Sequence, residues 1–122
     1  MINRKRLAEL TAREEKRFLD LHPKSGALFA QAKKVMPGGV PMSWMAKWPG
    51  AYPVFVATSK GAKFTDVDGH TYVDFCLGDT GSMTGHSPSA TVEAITEQMK
   101  HGFTSMLPTE DAVIVSHSGQ TI

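Results

Sequence analysis

The sequence predicts an α+β fold, with helices at the N-terminus, a three-stranded antiparallel meander in the middle and a helix after it. Three observations support this prediction. Apolar residues recur at helical spacing near the N-terminus, a central stretch alternates between glycine turns, and a proline at position 88 opens a further helical pattern. The 122 residues suffice for one modest domain, and 41% hydrophobic with 20% charged residues is typical of a globular protein.

Two helices are predicted at the N-terminus. The first covers residues 3–21, and Pro23 ends it because the residue before a proline is pushed out of the α region. The second covers residues 26–36, with Ser25 as its N-cap. Pro-Gly-Gly at 37–39 then ends this helix.

Three short strands are predicted next, over residues 53–58, 62–67 and 71–75. The pair Asp68–Gly69 is typical of a hairpin turn, since glycine adopts positive φ without a steric cost. Aromatic and β-branched residues are expected to supply the buried faces of the meander: Phe55, Val56, Phe64, Tyr72, Val73 and Phe75.

Two loops flank the meander. Residues 40–51 are rich in methionine and tryptophan, and these side chains either fill a gap in their own domain or face a partner subunit or a ligand pocket. Residues 77–87 are rich in glycine, but their spacing does not match a dinucleotide-binding fingerprint. This second loop forms either a tight connection beside a pocket or a phosphate cradle.

The C-terminal part is predicted to contain one helix from Pro88 to about His101 and a further helix start at residues 108–111. Residues 114–119 abandon helical patterning, so the last nine residues are expected to be an atypical, truncated tail.

Composition excludes several classes of function. The 13 basic and 12 acidic residues leave a net charge of +1, which does not favour nucleic-acid binding. A single cysteine, no long apolar run and a charged N-terminus predict a cytoplasmic protein without a membrane span or export signal. The five histidines lack metal-binding spacing, and residues 66–77 lack the glycine and glutamate positions of a calcium loop, so no metal centre is predicted.

Three motifs, in this order and spacing, resemble one known family. They are Met-Pro-Gly-Gly-Val at 36–40, Gly-Ala-Lys-Phe-Thr-Asp-Val-Asp-Gly-His-Thr-Tyr-Val-Asp-Phe at 61–75, and Gly-His-Ser-Pro at 85–88. Together they resemble the N-terminal part of class III aminotransferases, which are pyridoxal-phosphate enzymes of fold type I. The resemblance is nearest to the branch of glutamate-1-semialdehyde 2,1-aminomutases and amino-acid aminotransferases, and it covers about residues 25–113.

The resemblance implies an N-terminal helical extension over residues 1–24, the family's N-terminal segment over 25–113 and an atypical tail over 114–122. It also implies pyridoxal 5′-phosphate as cofactor, a homodimer as the assembled enzyme, and an amino acid or amino-keto compound as substrate. The loops at 40–44 and 79–81 are then expected to approach the substrate, through Val40, Met42, Ser43, Trp44, Asp79, Thr80 and Gly81.

The sequence departs from the family pattern in three places. Met42 stands near an arginine that binds a carboxylate in some relatives, and Asp79 stands where relatives often carry an aromatic residue near the cofactor. The family's Schiff-base lysine has no counterpart among the nine lysines, and neither does the aspartate that pairs with the pyridine nitrogen.

The predicted function is therefore the N-terminal part of a transaminase or aminomutase, inactive alone. One alternative is a free-standing interaction module that binds a partner through Trp44 and Trp48. A further alternative is a metal or phosphate binder centred on Asp79, Ser82 and His86.

Overall fold

The computed structural model describes residues 2–47 and 49–118, and the chain divides after Ser87 into two compact units. The first unit contains two helices and three strands: α1 (Arg4–Leu21), α2 (Pro23–Ala32), β1 (Val56–Lys60), β2 (Lys63–Asp66) and β3 (Thr71–Val73). Two short 3-10 turns, Pro37–Gly39 and Ser43–Lys47, lie between α2 and β1. The second unit contains α3 (Ser89–Gln98) and α4 (Asp111–Ser118). The α+β prediction is confirmed.

Helices α1 and α2 are separated by a single residue, His22. The prediction that Ser25 caps the second helix is wrong, because Pro23 takes the first helical position, where its missing N–H leaves no bond unmade. The carboxylate of Asp68 instead accepts hydrogen bonds from the backbone N–H groups of Lys24 (2.7 Å) and Ser25 (3.0 Å). Asp68 of the hairpin thus caps α2, although it is far from this helix in sequence and no local pattern indicates the contact. The helix also ends earlier than predicted, at Ala32.

The three strands form an antiparallel sheet in the order β1-β2-β3. Phe64 lies opposite Ser59 on one side and Tyr72 on the other. The first strand begins and ends later than the predicted 53–58, because the chain turns only at Gly61, whose φ is 57°. The Asp68–Gly69 turn is confirmed, with a φ of 97° at Gly69.

The prediction that the six aromatic and β-branched residues form buried faces is wrong for half of them. Val56 and Val73 are exposed, and the side chain of Phe75 is 95% exposed. Phe55, Phe64 and Tyr72 are half-buried. A three-stranded sheet needs another layer against it to bury its apolar side chains. Among the described residues, the buried hydrophobic side chains are Ala32 and Val40.

The second unit also differs from prediction at its boundaries. Helix α3 ends at Gln98 instead of about residue 101. Helix α4 continues through residues 114–118, where the pattern predicted that the helix stops. The hydroxyls of Ser116 and Ser118 donate to the carbonyls of Ala112 and Ile114, so these polar side chains are satisfied within the helix. Trp48 and residues 119–122 lie outside the described residues, so the predictions that fall on them stay predictions.

Over the described stretches 2–47 and 49–118, none of the helices combines the length and the apolar character needed to cross a bilayer.

Candidate functional site

An apolar cavity of about 620 Å³ lies beside the loop that follows α2. The lining is mainly aromatic and aliphatic and includes Phe18, Val40, Met45, Tyr52, Phe55 and Phe64. Gly38 and Gly39 precede Val40 of the lining, and their φ values of 71° and 72° favour glycine. A Cβ at Gly39 would lie 2.7 Å from the ring of Phe29, so the tight approach excludes a larger residue.

Val40 is the member of the predicted substrate-facing set that lines this cavity, and it is buried. Ser43 and Trp44 begin the second 3-10 turn and Met42 precedes it, and none of the three belongs to the lining. The side chains of Met42 and Trp44 are 49% and 47% exposed, so they do not fill a gap in the first unit. Their apolar surface is available to another molecule or to another part of a longer protein.

The glycine-rich loop carries unusual backbone conformations at several residues other than glycine. Leu77, Asp79, Thr80 and Ser87 have φ values of 49°, 53°, 76° and 50°. Such left-handed conformations cost energy for residues with a Cβ and tend to occur at functional sites. Asp79, Thr80 and Gly81 are exposed at this turn and do not line the cavity that contains Val40. The described cavity therefore does not unite the two halves of the predicted substrate site.

Both ends of the glycine-rich loop are anchored by Asp74 and His86. One oxygen of Asp74 accepts from the backbone N–H groups of Cys76 and Leu77, both at 2.9 Å. Its other oxygen lies 2.7 Å from Nε2 of His86. The hydrogen bond from His86, together with the backbone N–H of Leu77, lowers the pKa of Asp74 below its ordinary value.

His86 also pairs with Gly61 through two backbone hydrogen bonds, of 2.8 and 2.9 Å. This pairing ties the end of the loop to the β1–β2 turn. Sequence reasoning treated His86 as part of a motif but missed Asp74 as its partner, since nothing in a spacing of twelve residues indicates the contact. In the alternative of a binder centred on Ser82, Asp79 and His86, Nε2 of His86 has Asp74 as a partner, and that alternative stays a prediction.

A second cluster of polar side chains, here called the polar joint, connects the α1–α2 junction to the β2–β3 hairpin. It consists of His22, Ser25, Asp66, Asp68 and Tyr72. The hydroxyl of Ser25 donates to Asp68 at 2.8 Å and also accepts from the backbone N–H of Phe55 at 3.2 Å. Its hydrogen bonds explain why a serine with no exposed surface is tolerated inside the first unit.

Asp66 is the centre of the polar joint and is 2% exposed. One of its oxygens accepts from the backbone N–H groups of Asp68 (3.0 Å) and His70 (2.8 Å), and the other accepts from the hydroxyl of Tyr72 (2.9 Å). Burial acts to raise the pKa of Asp66, but the bonds from His70 and Tyr72 outweigh burial and hold it below its ordinary value.

The same contacts act on Tyr72 in the opposite direction. Burial and the hydrogen bond to the Asp66 carboxylate raise the pKa of Tyr72 to about 12, so its hydroxyl stays neutral. That hydroxyl also lies 2.7 Å from Nε2 of His22, whose ring stacks on Phe18 with 4.4 Å between centroids. The polar joint thus fixes the orientation of α1, and through Phe18 it shapes one wall of the cavity.

The site has no internal lysine. All nine lysines of the chain are exposed, and none belongs to the cavity lining. The described residues can therefore shape an apolar pocket and present backbone groups, but they do not place an amine inside it.

Comparison with known proteins identifies relatives of this arrangement. The glutamate-1-semialdehyde 2,1-aminomutases of Methanosphaera stadtmanae and Chloroherpeton thalassium are 40% and 46% identical to the chain over 90 and 89 residues. These matches cover 74% and 70% of the chain but only 21% and 20% of the relatives. No protein-family model matches the chain.

Solved structures agree with the sequence comparison. A glutamate-1-semialdehyde aminomutase from Pseudomonas aeruginosa PAO1 superimposes on 93% of the chain with a TM-score of 0.85 and 43% identity. A β-phenylalanine aminotransferase from Variovorax paradoxus superimposes on 84% with a TM-score of 0.74 and 29% identity. The chain spans about a quarter of these two structures and about a fifth of the curated relatives. It belongs to the family of pyridoxal-phosphate-dependent class III aminotransferases and glutamate-1-semialdehyde aminomutases, of which it represents the N-terminal segment.

Proposed function

We propose that this chain forms the N-terminal part of a pyridoxal-phosphate-dependent transaminase or glutamate-1-semialdehyde-type aminomutase that acts on an amino acid, and that it is inactive alone. The observation that carries the proposal is the match to the Pseudomonas aeruginosa aminomutase, with 43% identity maintained over 93% of the chain. In the assembled enzyme the chain's role is to shape the substrate pocket, with residues 40–44 and 79–81 facing the reactant.

The family uses pyridoxal 5′-phosphate, but the described residues do not fit this cofactor by themselves. The cofactor supplies an electron sink once a lysine amine holds it as a Schiff base. Every lysine here is exposed, and the cavity lining is apolar. The main cofactor-binding residues must therefore come from outside this chain.

The proposal that the chain is inactive by itself can be tested by incubating the isolated chain with pyridoxal 5′-phosphate, reducing with borohydride and locating adducts by mass spectrometry. We expect substoichiometric adducts spread over the exposed lysines, and no turnover of amino acids. A single adduct at full occupancy on one lysine, accompanied by turnover, would contradict the proposal.

The role of the two loops can be tested in a fusion in which residues 1–113 replace the matching part of the Pseudomonas aeruginosa aminomutase. We expect the fusion to bind the cofactor and to retain activity. Asp79→Ala should then raise KM or lower kcat, whereas the matched control Asp20→Ala, on the exposed face of α1, should leave both unchanged. Equal kinetics for both variants would exclude Asp79 from the substrate site.

The half-exposed Trp44 favours one competing function, a free-standing interaction module. The same fusion separates the two hypotheses, because an independent module has no reason to complete a foreign active site. An inactive fusion that still binds cofactor would favour the module, and Trp44→Ala should then abolish its partner binding.

We further propose that the complete enzyme is a cytoplasmic homodimer with a small amino acid or amino-keto substrate, and that it binds neither nucleic acid nor membrane. The nearly balanced charge of +1 supports the absence of a nucleic-acid partner.

A further inference from the structure

Three potential metal ligands converge at the polar joint, namely its members His22 and Asp66 together with His70, and His22 is far from the other two in sequence. His22 lies between α1 and α2, Asp66 ends β2, and His70 precedes β3. Oδ2 of Asp66 lies 3.6 Å from Nε2 of His22 and 3.5 Å from Nδ1 of His70. All three atoms lie within 4.8 Å of one another.

Two of these ligands are held in place by their other polar atoms. Nδ1 of His22 donates to the carbonyl of Phe18 at 2.8 Å, which directs Nε2 towards Asp66. Oδ1 of Asp66 is occupied by two backbone N–H groups, which turns Oδ2, the acceptor of the Tyr72 hydroxyl, towards the two histidines. Outer contacts of this kind orient the ligands in known metal sites.

The third ligand atom, Nδ1 of His70, lacks a hydrogen bond to the described part of the chain. Nδ1 of His70 is buried and has no hydrogen-bond partner among the described residues, since its 3.5 Å approach to Asp66 lacks hydrogen-bond geometry. Most buried polar atoms are satisfied, so an unpaired one indicates a group that binds there. In addition, the single hydroxyl hydrogen of Tyr72 is shared between Asp66 and His22, which leaves more acceptors than donors in the cluster.

We propose that His22, Asp66 and His70 bind a divalent transition-metal ion, for which Zn²⁺ is the best match. Two imidazole nitrogens and one carboxylate oxygen form a donor set that zinc accepts. Zinc–ligand distances of about 2.0–2.2 Å place tetrahedral ligands roughly 3.3–3.6 Å apart. The 3.5 and 3.6 Å separations match this spacing. The hydroxyl of Tyr72, 2.9 Å from Oδ2 of Asp66 and 2.7 Å from Nε2 of His22, lies closer to these atoms than that spacing, so the ion would displace its two hydrogen bonds.

The ion's role is structural. It would link the α1–α2 junction to the hairpin through side chains, in place of the bonds from Tyr72 to Asp66 and His22, while the bond between Ser25 and Asp68 remains. None of its three ligands lines the cavity, so the site is separate from the proposed substrate pocket.

The test measures binding of Zn²⁺ to the 122-residue chain by calorimetry and of Co²⁺ by its visible d–d absorption, with far-ultraviolet circular dichroism recorded on the same samples. We expect one ion per chain, tetrahedral-type Co²⁺ bands, and a Tm that rises with the Zn²⁺ concentration.

His70→Phe keeps an aromatic ring beside His22, whose centroid lies 4.9 Å from that of His70, but removes the ligand nitrogen. We expect this variant to lose at least the ~10–100-fold in affinity that even outer-contact substitutions cost, together with the rise in Tm. His101→Phe is the matched control, because His101 is exposed in the second unit, and its affinity should equal that of the unmodified chain. Absence of Zn²⁺ binding, which would leave a shared proton as the cluster's cation, overturns the proposal. Equal affinity of the His70→Phe and His101→Phe variants overturns it as well.

Discussion

The polar joint of the first unit is buried and hydrogen-bonded, whereas its apolar surface, here Trp44 and Phe75, is exposed. In the polar joint, Asp66, Asp68 and Ser25 each make several hydrogen bonds, and Asp66 is 2% exposed. On the apolar surface, Trp44 is 47% exposed and Phe75 is 95% exposed. The difference indicates that this unit obtains its specific geometry from polar contacts within itself, whereas its apolar residues require a further surface to be buried.

The largest effect is expected at the centre of the polar joint. Asp66→Ala removes the acceptor of two backbone N–H groups, which lose their partner, and of the Tyr72 hydroxyl, which keeps only His22. We expect the free energy of unfolding to fall by about 3 kcal/mol, measured by urea denaturation. Asp20→Ala, which removes an exposed pair with Lys16, is the control and should change it by less than about 0.5 kcal/mol. Similar losses in both variants would contradict a central role for Asp66.

A smaller loss is expected where the glycine-rich loop meets the β1–β2 turn. Gly85 has a φ of 91°, and a Cβ there would lie 3.2 Å from Cα of Gly61. Gly85→Ala should therefore destabilise the chain by about 2 kcal/mol, through both backbone strain and the close approach. Gly69→Ala shares the positive φ but has open space, so about 1 kcal/mol is expected from strain alone. If the two variants are equally stable, the contact with Gly61 contributes nothing.

The hydroxyl of Tyr72 gives a prediction at alkaline pH. Its pKa is raised to about 12, so the unfolded chain releases this proton first, from about pH 10 upwards. Stability from this group is complete below about pH 10 and is lost as the pH rises through about 12. Tyr72→Phe should remove that decline and cost about 1.5 kcal/mol at neutral pH, because the hydrogen bonds to Asp66 and His22 are lost. An unchanged alkaline decline in the variant would show that Tyr72 is not its source.

The carboxylates give the opposite pH dependence. The pKa values of Asp66, Asp68 and Asp74 are lowered by their hydrogen bonds, so the unfolded chain takes up protons first as the pH falls. Their contribution is present above about pH 4 and declines as the pH drops through the lowered values. Asp74→Asn should flatten part of this decline in the free energy of unfolding. Urea denaturation at a series of pH values measures it. If the free energy of unfolding of the variant falls with pH as steeply as that of the unmodified chain, the contact between Asp74 and His86 does not contribute to the decline.

The smallest effect is expected on the apolar surface. Phe75→Ser changes a side chain that is 95% exposed, so the free energy of unfolding of the chain should change by less than about 0.5 kcal/mol. The same substitution in the fusion with the aminomutase should be more costly if that surface is covered there. A loss comparable to that of Asp66→Ala in the isolated chain would show that Phe75 is already buried in solution.

Much of the fold could be predicted from local patterns. Helical periodicity indicated α1, Pro88 indicated α3, and Asp68–Gly69 indicated the hairpin, because each signal depends on backbone preferences within a few residues. The start of α2 was misplaced because the residue that caps it, Asp68, is far along the chain. Burial in the meander was also misjudged, because alternation indicates which residues share a face and cannot show whether anything covers that face.

The candidate site likewise has features that the sequence predicted and contacts that it did not. The motifs identified the family. Val40 lines the apolar cavity, and its contact with a substrate stays a prediction. Sequence spacing did not indicate the Asp74–His86 anchor or the cluster of His22 with Asp66 and His70, since these contacts join residues through the packing of separate elements.

The amino-acid sequence by itself determined the order of helices and strands, the two glycine-dependent loops and the family membership, because these depend on local conformational preference and on the residues present. Only the tertiary structure decided which polar atoms pair, which apolar side chains remain exposed and where His22, Asp66 and His70 converge. The physical reason is that hydrogen bonding and burial depend on distances between atoms, and the chain sets those distances only when its elements pack.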